Sequence, residues 1–354
     1  MNLTLADFFN KIETAFDKSQ AFVVYRKPNQ IEINAQIQLN NDINLKVDFE
    51  ESGFVFAPFD NENQAIFFPI INAEIYKSEY SEVDDIEIKQ EINVINKTTN
   101  KDFYLKLVEK AIEKIHLNNF EKVVVSRKED IEVSQFNILK TYKTLLQKYP
   151  SAMVYCWFHP EIGLWMGATP ELLCKINKNH FLTVALAGTK SVNENVNLIW
   201  SHKEENEQQL VTEFILDQLK SEIQNLKISE PYSVKAGHLW HIKTDIDGEI
   251  PENISIKKII QKLHPTPAVC GLPKEIAKDF ILKNENYNRE FYTGYLGEIN
   301  LNKTTELYVN LRCMKIEDQN ISIFVGGGIT KDSIPENEWD ETVAKTKTMK
   351  SCFY

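Results

Sequence analysis

The chain reads as an α/β protein of the α+β type. Short β-branched and aromatic runs recur from end to end and amphipathic helical repeats intervene between them. Its 354 residues, 43% hydrophobic and 26% charged, suffice for one large or two medium domains.

In chain order, a helical repeat (Leu5, Phe8, Phe9, Ile12, Phe16) precedes strand-like runs at 21–25, 44–49 and 65–71. No chemistry announces itself there. The acidic, polar interval 79–99 reads as a linker or surface loop. Beyond it, Phe103, Leu107, Ala111 and Ile115 predict a helix, followed at once by the strand Glu121-Lys-Val-Val-Val-Ser-Arg127. Lys122, at its entrance, reads by itself as a solvated strand end. A helix over 136–148 leads to a hairpin-like pair of interior strands, 152–158 and 163–174, with Glu171 well inside the second. A carboxylate in such an apolar run is costly to ionise, so its pKa should rise into the general-acid range, unless Glu171 points to solvent or caps a neighbour.

The strand 183–189 ends in an open Gly188-Thr189 corner where a ligand could approach the backbone. Helix 204–219 carries the stripe Leu210, Val211, Phe214, Ile215 and Leu219, headed by Glu207, an inward carboxylate in need of a cation or a donor. A strand at 238–245 carries Trp240 and His241, and a helix at 256–263 precedes the proline-stiffened loop 264–271. After a helix at 272–281, three strands follow at 291–299, 306–314 and 321–325, the middle one setting Arg312 among apolar neighbours, where a guanidinium wants a carboxylate. Gly326, Gly327 and Gly328 then form either a plain turn or a backbone able to aim N–H groups at an anion. On the helix from 336 to 349, Glu338, Glu341, Lys345 and Met349 share one face, which is either solvated or the magnesium-and-carboxylate end of an active site.

A net charge of -11 argues against a nucleic-acid partner. Neither a signal peptide nor a membrane-length apolar run is present, so the expected location is the cytoplasm, with no membrane partner. The five cysteines are scattered without a Cys-x-x-Cys pair, which suggests buried reduced thiols rather than disulfides or zinc.

Ten motifs stand in one order: Lys122-Val-Val-Val-Ser-Arg, Gly167-Ala-Thr-Pro-Glu-Leu-Leu, Leu186-Ala-Gly-Thr, Lys203-x3-Glu207, Leu239-Trp-His, Leu263-His-Pro-Thr-Pro-Ala-Val-x-Gly-x-Pro, Asn288-Arg-Glu-x-Tyr-x-Gly, Leu311-Arg-Cys, Gly326-Gly-Gly-Ile and Glu338-Trp-x-Glu-Thr. In this order, over about residues 103–350, the chain resembles the chorismate-utilising enzymes, and among them most closely the isochorismate synthases. The resemblance implies one domain of two large, mostly antiparallel sheets packed together, with helices outside and the site between. Residues 1–95 would be its variable N-terminal part and 96–354 its chorismate-binding catalytic region.

It also implies the chemistry: isomerisation of chorismate to isochorismate, with Mg2+ as cofactor, by a monomer needing no obligate protein partner. Lys122 would deprotonate a water that attacks C2, and Glu171 would protonate the departing C4 hydroxyl, so Lys122 must be partly neutral and Glu171 must hold its proton. Glu207 and Glu341, with Glu338 directly or through water, would hold magnesium against the ring carboxylate. Arg312 and the N–H groups of Gly326 to Gly328 would take the enolpyruvyl carboxylate. Gly188, Thr189, His241, Ala268, Tyr292 and Lys345 complete the implied substrate site. Ala187 stands where aminodeoxychorismate synthases typically carry a lysine nucleophile, and the proline loop is of the isochorismate type. Two departures are Gln208, where the family often has histidine, and Tyr292, where some isochorismate synthases have phenylalanine. The second leaves open salicylate-synthase-like loss of pyruvate as an alternative; a non-catalytic chorismate-binding protein is the remote one. The product would serve menaquinone or siderophore synthesis.

Overall fold

The computed structural model describes residues 1–45, 47–60, 64–80, 94–96, 101–190, 198–236 and 239–353. Along the chain come α1 (Leu5–Asp17), β1 (Phe22–Arg26), β2 (Glu32–Gln38), β3 (Gly53–Ala57), β4 (Ile66–Pro69), β5 (Ala73–Glu79), β6 (Val94–Asn96), α2 (Lys101–His116), β7 (Lys122–Val133) and α3 (Ile138–Lys148). The middle of the chain forms β8 (Met153–His159), β9 (Gly163–Thr169), β10 (Leu172–Asn177), β11 (His180–Lys190), α4 (His202–Leu219), β12 (Gln224–Ile228), β13 (Tyr232–Ala236), β14 (Leu239–Glu249) and α5 (Ile256–Leu263). The last third forms β15 (Gly271–Leu272), α6 (Lys274–Asn284), β16 (Tyr295–Leu301), β17 (Thr304–Val309), β18 (Cys313–Glu317), β19 (Asn320–Ile329) and α7 (Pro335–Lys350).

These strands build two antiparallel sheets. One runs β15-β7-β19-β18-β9-β8-β1-β2-β5 with β6 beside β7; the other runs β12-β14-β11-β10-β17-β16-β3-β4 with β13 beside β14. Between them lies an aromatic core, in which Phe56 stacks on Phe291 at 4.3 Å and Phe68 on Trp157 at 5.2 Å. Helices α1 and α3 bury their apolar stripes on the outer face of the first sheet, and α4 and α5 on that of the second. Burial of these stripes, not helix propensity, supplies most of the stability of such helices. The N-terminal strands are built into the same frame: β1, β2 and β5 extend the first sheet, β3 and β4 the second.

Two runs that read as unbroken strands are each split between the sheets. The run 163–174 leaves the first sheet after Thr169 and joins the second at Leu172, so Glu171 sits at the crossing instead of inside a strand. Pro170 has no N–H to give a ladder, which ends β9 there. The run 306–314 makes the return crossing through Asn310, Leu311 and Arg312, the last with φ 48. The crossings lie side by side: Ala168 N–H donates to the Arg312 carbonyl at 3.0 Å and Val309 N–H to the Glu171 carbonyl at 2.9 Å. A local apolar pattern reports burial and not which sheet supplies it.

The glycine run is likewise not a turn. Gly326, Gly327 and Gly328 continue β19 opposite Ser126, Val125 and Val124 of β7. The described residues of 44–49 are not strand, and residues 291–293 form a turn ahead of β16. Of the 79–99 interval, Val94–Asn96 pairs with β7, and 81–93 and 97–100 lie outside the described residues.

Candidate active site

The site forms where β7, β19, the two crossings, α4 and α7 converge. Lys122 begins β7, yet it is 1% exposed and its Nζ donates to Glu207 Oε1 at 2.6 Å. It is therefore no solvated strand end. Gly328 makes that approach possible: a Cβ there would lie 3.0 Å from Lys122 Cε and 3.2 Å from Glu207 Oε1. Side chains alternate along a strand, so Gly326 shares this face while Gly327 turns to the other. Glu207 rides on α4, whose first turn is closed by a capping box between Ser201 and Glu204. Gly188, at φ +68, passes so close to α4 that a Cβ would come 3.0 Å from the Glu204 Cβ.

From the crossings come a carboxyl and a guanidinium, Glu171 and Arg312. Glu171 faces the cavity; burial pushes its carboxyl up to about 7, against the opposing pull of Lys122, Arg312 and Lys345. Arg312 forms no ion pair with the described residues. Burial lowers its pKa, while Tyr292, Glu341 and Glu171 act to raise it. From α7, Glu341 pairs with Lys345 at 2.6 Å, and Lys345 Nζ donates to the Gly326 carbonyl at 2.9 Å. Glu338, one turn earlier, is 4% exposed. His241 places Nδ1 3.1 Å from the Gly188 carbonyl, which can only accept, so Nδ1 carries the proton. Burial first, and then the Arg312 charge, lower that imidazole to about 4 and keep it neutral.

A cavity of about 150 Å³ joins Lys122, Glu171, Glu207, Glu338, Glu341, Lys345, Arg312, His241, Ala268, Gly188, Gly326 and Gly328. Tyr292 lines a smaller cavity of about 80 Å³ that shares Arg312, Ala268 and Lys345 with it. Thr189 contributes backbone pairing with His241; its side chain is outside the described residues. Glu204 also lines the main cavity and was not among the residues singled out from sequence. The capping box Ser-x-x-Glu was its available signal, and that signal speaks only for a helix start.

Glu207, Glu338 and Glu341 are hard oxygen donors from two helices, the chemistry a magnesium ion takes when substrate and water complete its shell. Among the described residues, no three acidic, histidine or cysteine side chains are gathered into a ready cage. Instead Lys122 and Lys345 each neutralise one carboxylate. The donor set fits the ion, then, as an open partial site.

A family model described as chorismate binding enzyme matches residues 60–354. The isochorismate synthase EntC of Escherichia coli strain K12 is 31% identical over 200 residues, 54% of this chain and 51% of that protein. The vibriobactin-specific isochorismate synthase of Vibrio cholerae is 26% identical over 308 residues, 84% and 78% of the two. The chain thus spans about half the length of the first relative. Among solved structures, MenF, the menaquinone-specific isochorismate synthase from Escherichia coli, superposes with a TM-score of 0.81 at 21% identity, covering 94% of this chain and 89% of that one, a likeness of fold.

Proposed function

The chain belongs to the chorismate binding enzyme family, and from that premise we propose that it is an isochorismate synthase that uses magnesium. The observation that supports this most directly is that Lys122 and Glu171 open onto one cavity, the first a buried amine and the second a carboxyl with its pKa raised to about 7. Lys122 takes a proton from the water whose oxygen bonds to C2 of chorismate. Glu171 gives its proton to the C4 hydroxyl as that C–O bond breaks and the ring double bonds shift. One water enters and one leaves, so substrate and product are isomers. A raised carboxyl and a buried amine are the environments that such acid and base roles require.

Glu207 and Glu341, with Glu338, would hold the magnesium ion, which when bound would supply positive charge to the ring carboxylate. Arg312 and the backbone of Gly326 to Gly328 receive the enolpyruvyl carboxylate, with Gly188, Thr189, His241, Ala268, Tyr292 and Lys345 around the ring. Gly326 and Gly328 act by lacking side chains on the cavity face of the strand, which lets Lys122 and the substrate come close to the backbone. The enzyme works as a monomer in the cytoplasm, a setting that suits five free, buried cysteines. Among the described residues no helix is long and apolar enough to cross a membrane.

Incubation of the purified chain with chorismate, with and without magnesium, tests the reading. Isochorismate formed only with the metal, and without stoichiometric pyruvate, is the expected result. Salicylate plus pyruvate would favour the lyase alternative, to which Tyr292 points; binding without turnover would leave a chorismate-binding protein.

A further inference from the structure

Tyr104, on α2, is 0% exposed, and its hydroxyl has no hydrogen-bond partner among the described residues. A buried orphan hydroxyl is unfavourable by about 1–3 kcal/mol, so it calls for an acceptor. The neighbouring group is Glu338. A Cβ built on Gly327, on the strand face turned from the cavity, would lie 3.3 Å from the Tyr104 hydroxyl and 3.3 Å from Glu338 Oε2. The absent side chain of Gly327 therefore leaves a small space that both polar groups border.

The placement of Glu338 beside this space is fixed from behind. The Tyr104 ring packs against Trp339, centroids 6.0 Å apart. The Arg127 guanidinium lies 4.3 Å from the centre of the Trp339 ring, and its Nε donates to the Thr342 hydroxyl at 2.8 Å. Trp339 and Thr342 directly follow Glu338 and Glu341, so these contacts set the rotation of α7 at which both glutamates line the cavity.

We propose that Tyr104 is a positioning residue for the metal site, its hydroxyl serving as the donor that orients the Glu338 carboxylate, directly or through one water in the space over Gly327. This rests on the reading of Glu338 as part of the magnesium site. Partners of this kind orient metal-ligating carboxylates, and their removal typically weakens metal binding about 10–100-fold.

Tyr104→Phe, which removes one oxygen and keeps the ring packed on Trp339, decides the matter by calorimetric titration with magnesium and by thermal unfolding without metal. The expected result is a magnesium Kd raised about 10-fold or more. An unchanged Kd overturns the proposal whatever the Tm, and a higher Tm beside it marks a hydroxyl that is merely buried and unpaired. Glu338→Gln separates the two layers. If it weakens magnesium binding while Tyr104→Phe does not, only the role of Tyr104 fails; if Glu338→Gln leaves the affinity unchanged, the metal assignment fails and this inference with it.

Discussion

The amine of Lys122 and the carboxylate of Glu207 meet at 2.6 Å, but they are not equally buried: the side chains are 2% and 22% exposed. Removing one partner of a buried pair is expensive mainly for the charge left behind. Glu207→Ala leaves the buried Lys122 Nζ without its carboxylate partner and should lose about 3 kcal/mol or more. Lys122→Met leaves a carboxylate that reaches solvent and should lose about 1 kcal/mol or less. Both should lower kcat by about 100-fold or more. Urea denaturation without magnesium measures the asymmetry, and equal losses in the two variants would contradict it.

Glu171 makes pH a second probe. Its carboxyl is raised from the ordinary 4.5 to about 7, chiefly by burial. The folded state therefore binds this proton more tightly than the unfolded chain does. The resulting stability is complete below about 4.5 and is lost as pH rises toward about 7. Glu171→Gln should flatten that slope in metal-free protein, as denaturant midpoints between those pH values will show. In the wild type, kcat should decline as pH rises through the same group, because the protonated form is the donor. A wild-type slope that persists in the glutamine variant would remove Glu171 as its source.

Much of the fold was legible because burial imposes periodicity. The helices α2, α3, α4 and α5 begin within two residues of Phe103, Phe136, Glu204 and Ile256, where the helical patterns start. The two crossings were not legible, since Leu172 and Cys313 beyond them are as apolar as Ala168 and Val309 before them; period-2 pattern carries no sheet identity. Glu171 and Arg312 drew attention as charges out of place, and the crossings give the physical reason they are tolerated. Lys122 looked like a wet strand end because its partner, Glu207, lies on a helix far along the chain. Tyr104 left no sequence signal, being one more aromatic on an apolar stripe.

Gly328 offers a test of close approach. An added Cβ would stand 3.0 Å from Lys122 Cε and 3.2 Å from Glu207 Oε1. Gly328→Ala should push that pair apart while leaving the strand ladder in place, costing about 1–3 kcal/mol in stability. Activity is the more sensitive quantity, because a displacement near 1 Å can cost about 100-fold. A kcat reduced by about 10-fold or more, with a near-native circular dichroism spectrum, is expected; unchanged kcat would mean that the Lys122–Glu207 separation is not critical.

Arg312 permits binding and architecture to be separated. Its carbonyl ties the two crossings through Ala168, while its guanidinium faces the cavity. Arg312→Lys keeps a positive charge but loses the planar fork that matches a carboxylate. The loss of one charge-assisted hydrogen bond, about 1.5–3 kcal/mol, corresponds to a chorismate KM raised about 10–100-fold. Arg312→Gly should bind still less well yet fold at least as readily, because glycine accepts φ 48 without strain and keeps the carbonyl. Steady-state kinetics and thermal unfolding distinguish the two contributions: an Arg312→Gly variant that binds chorismate normally would show that the guanidinium does not hold the substrate.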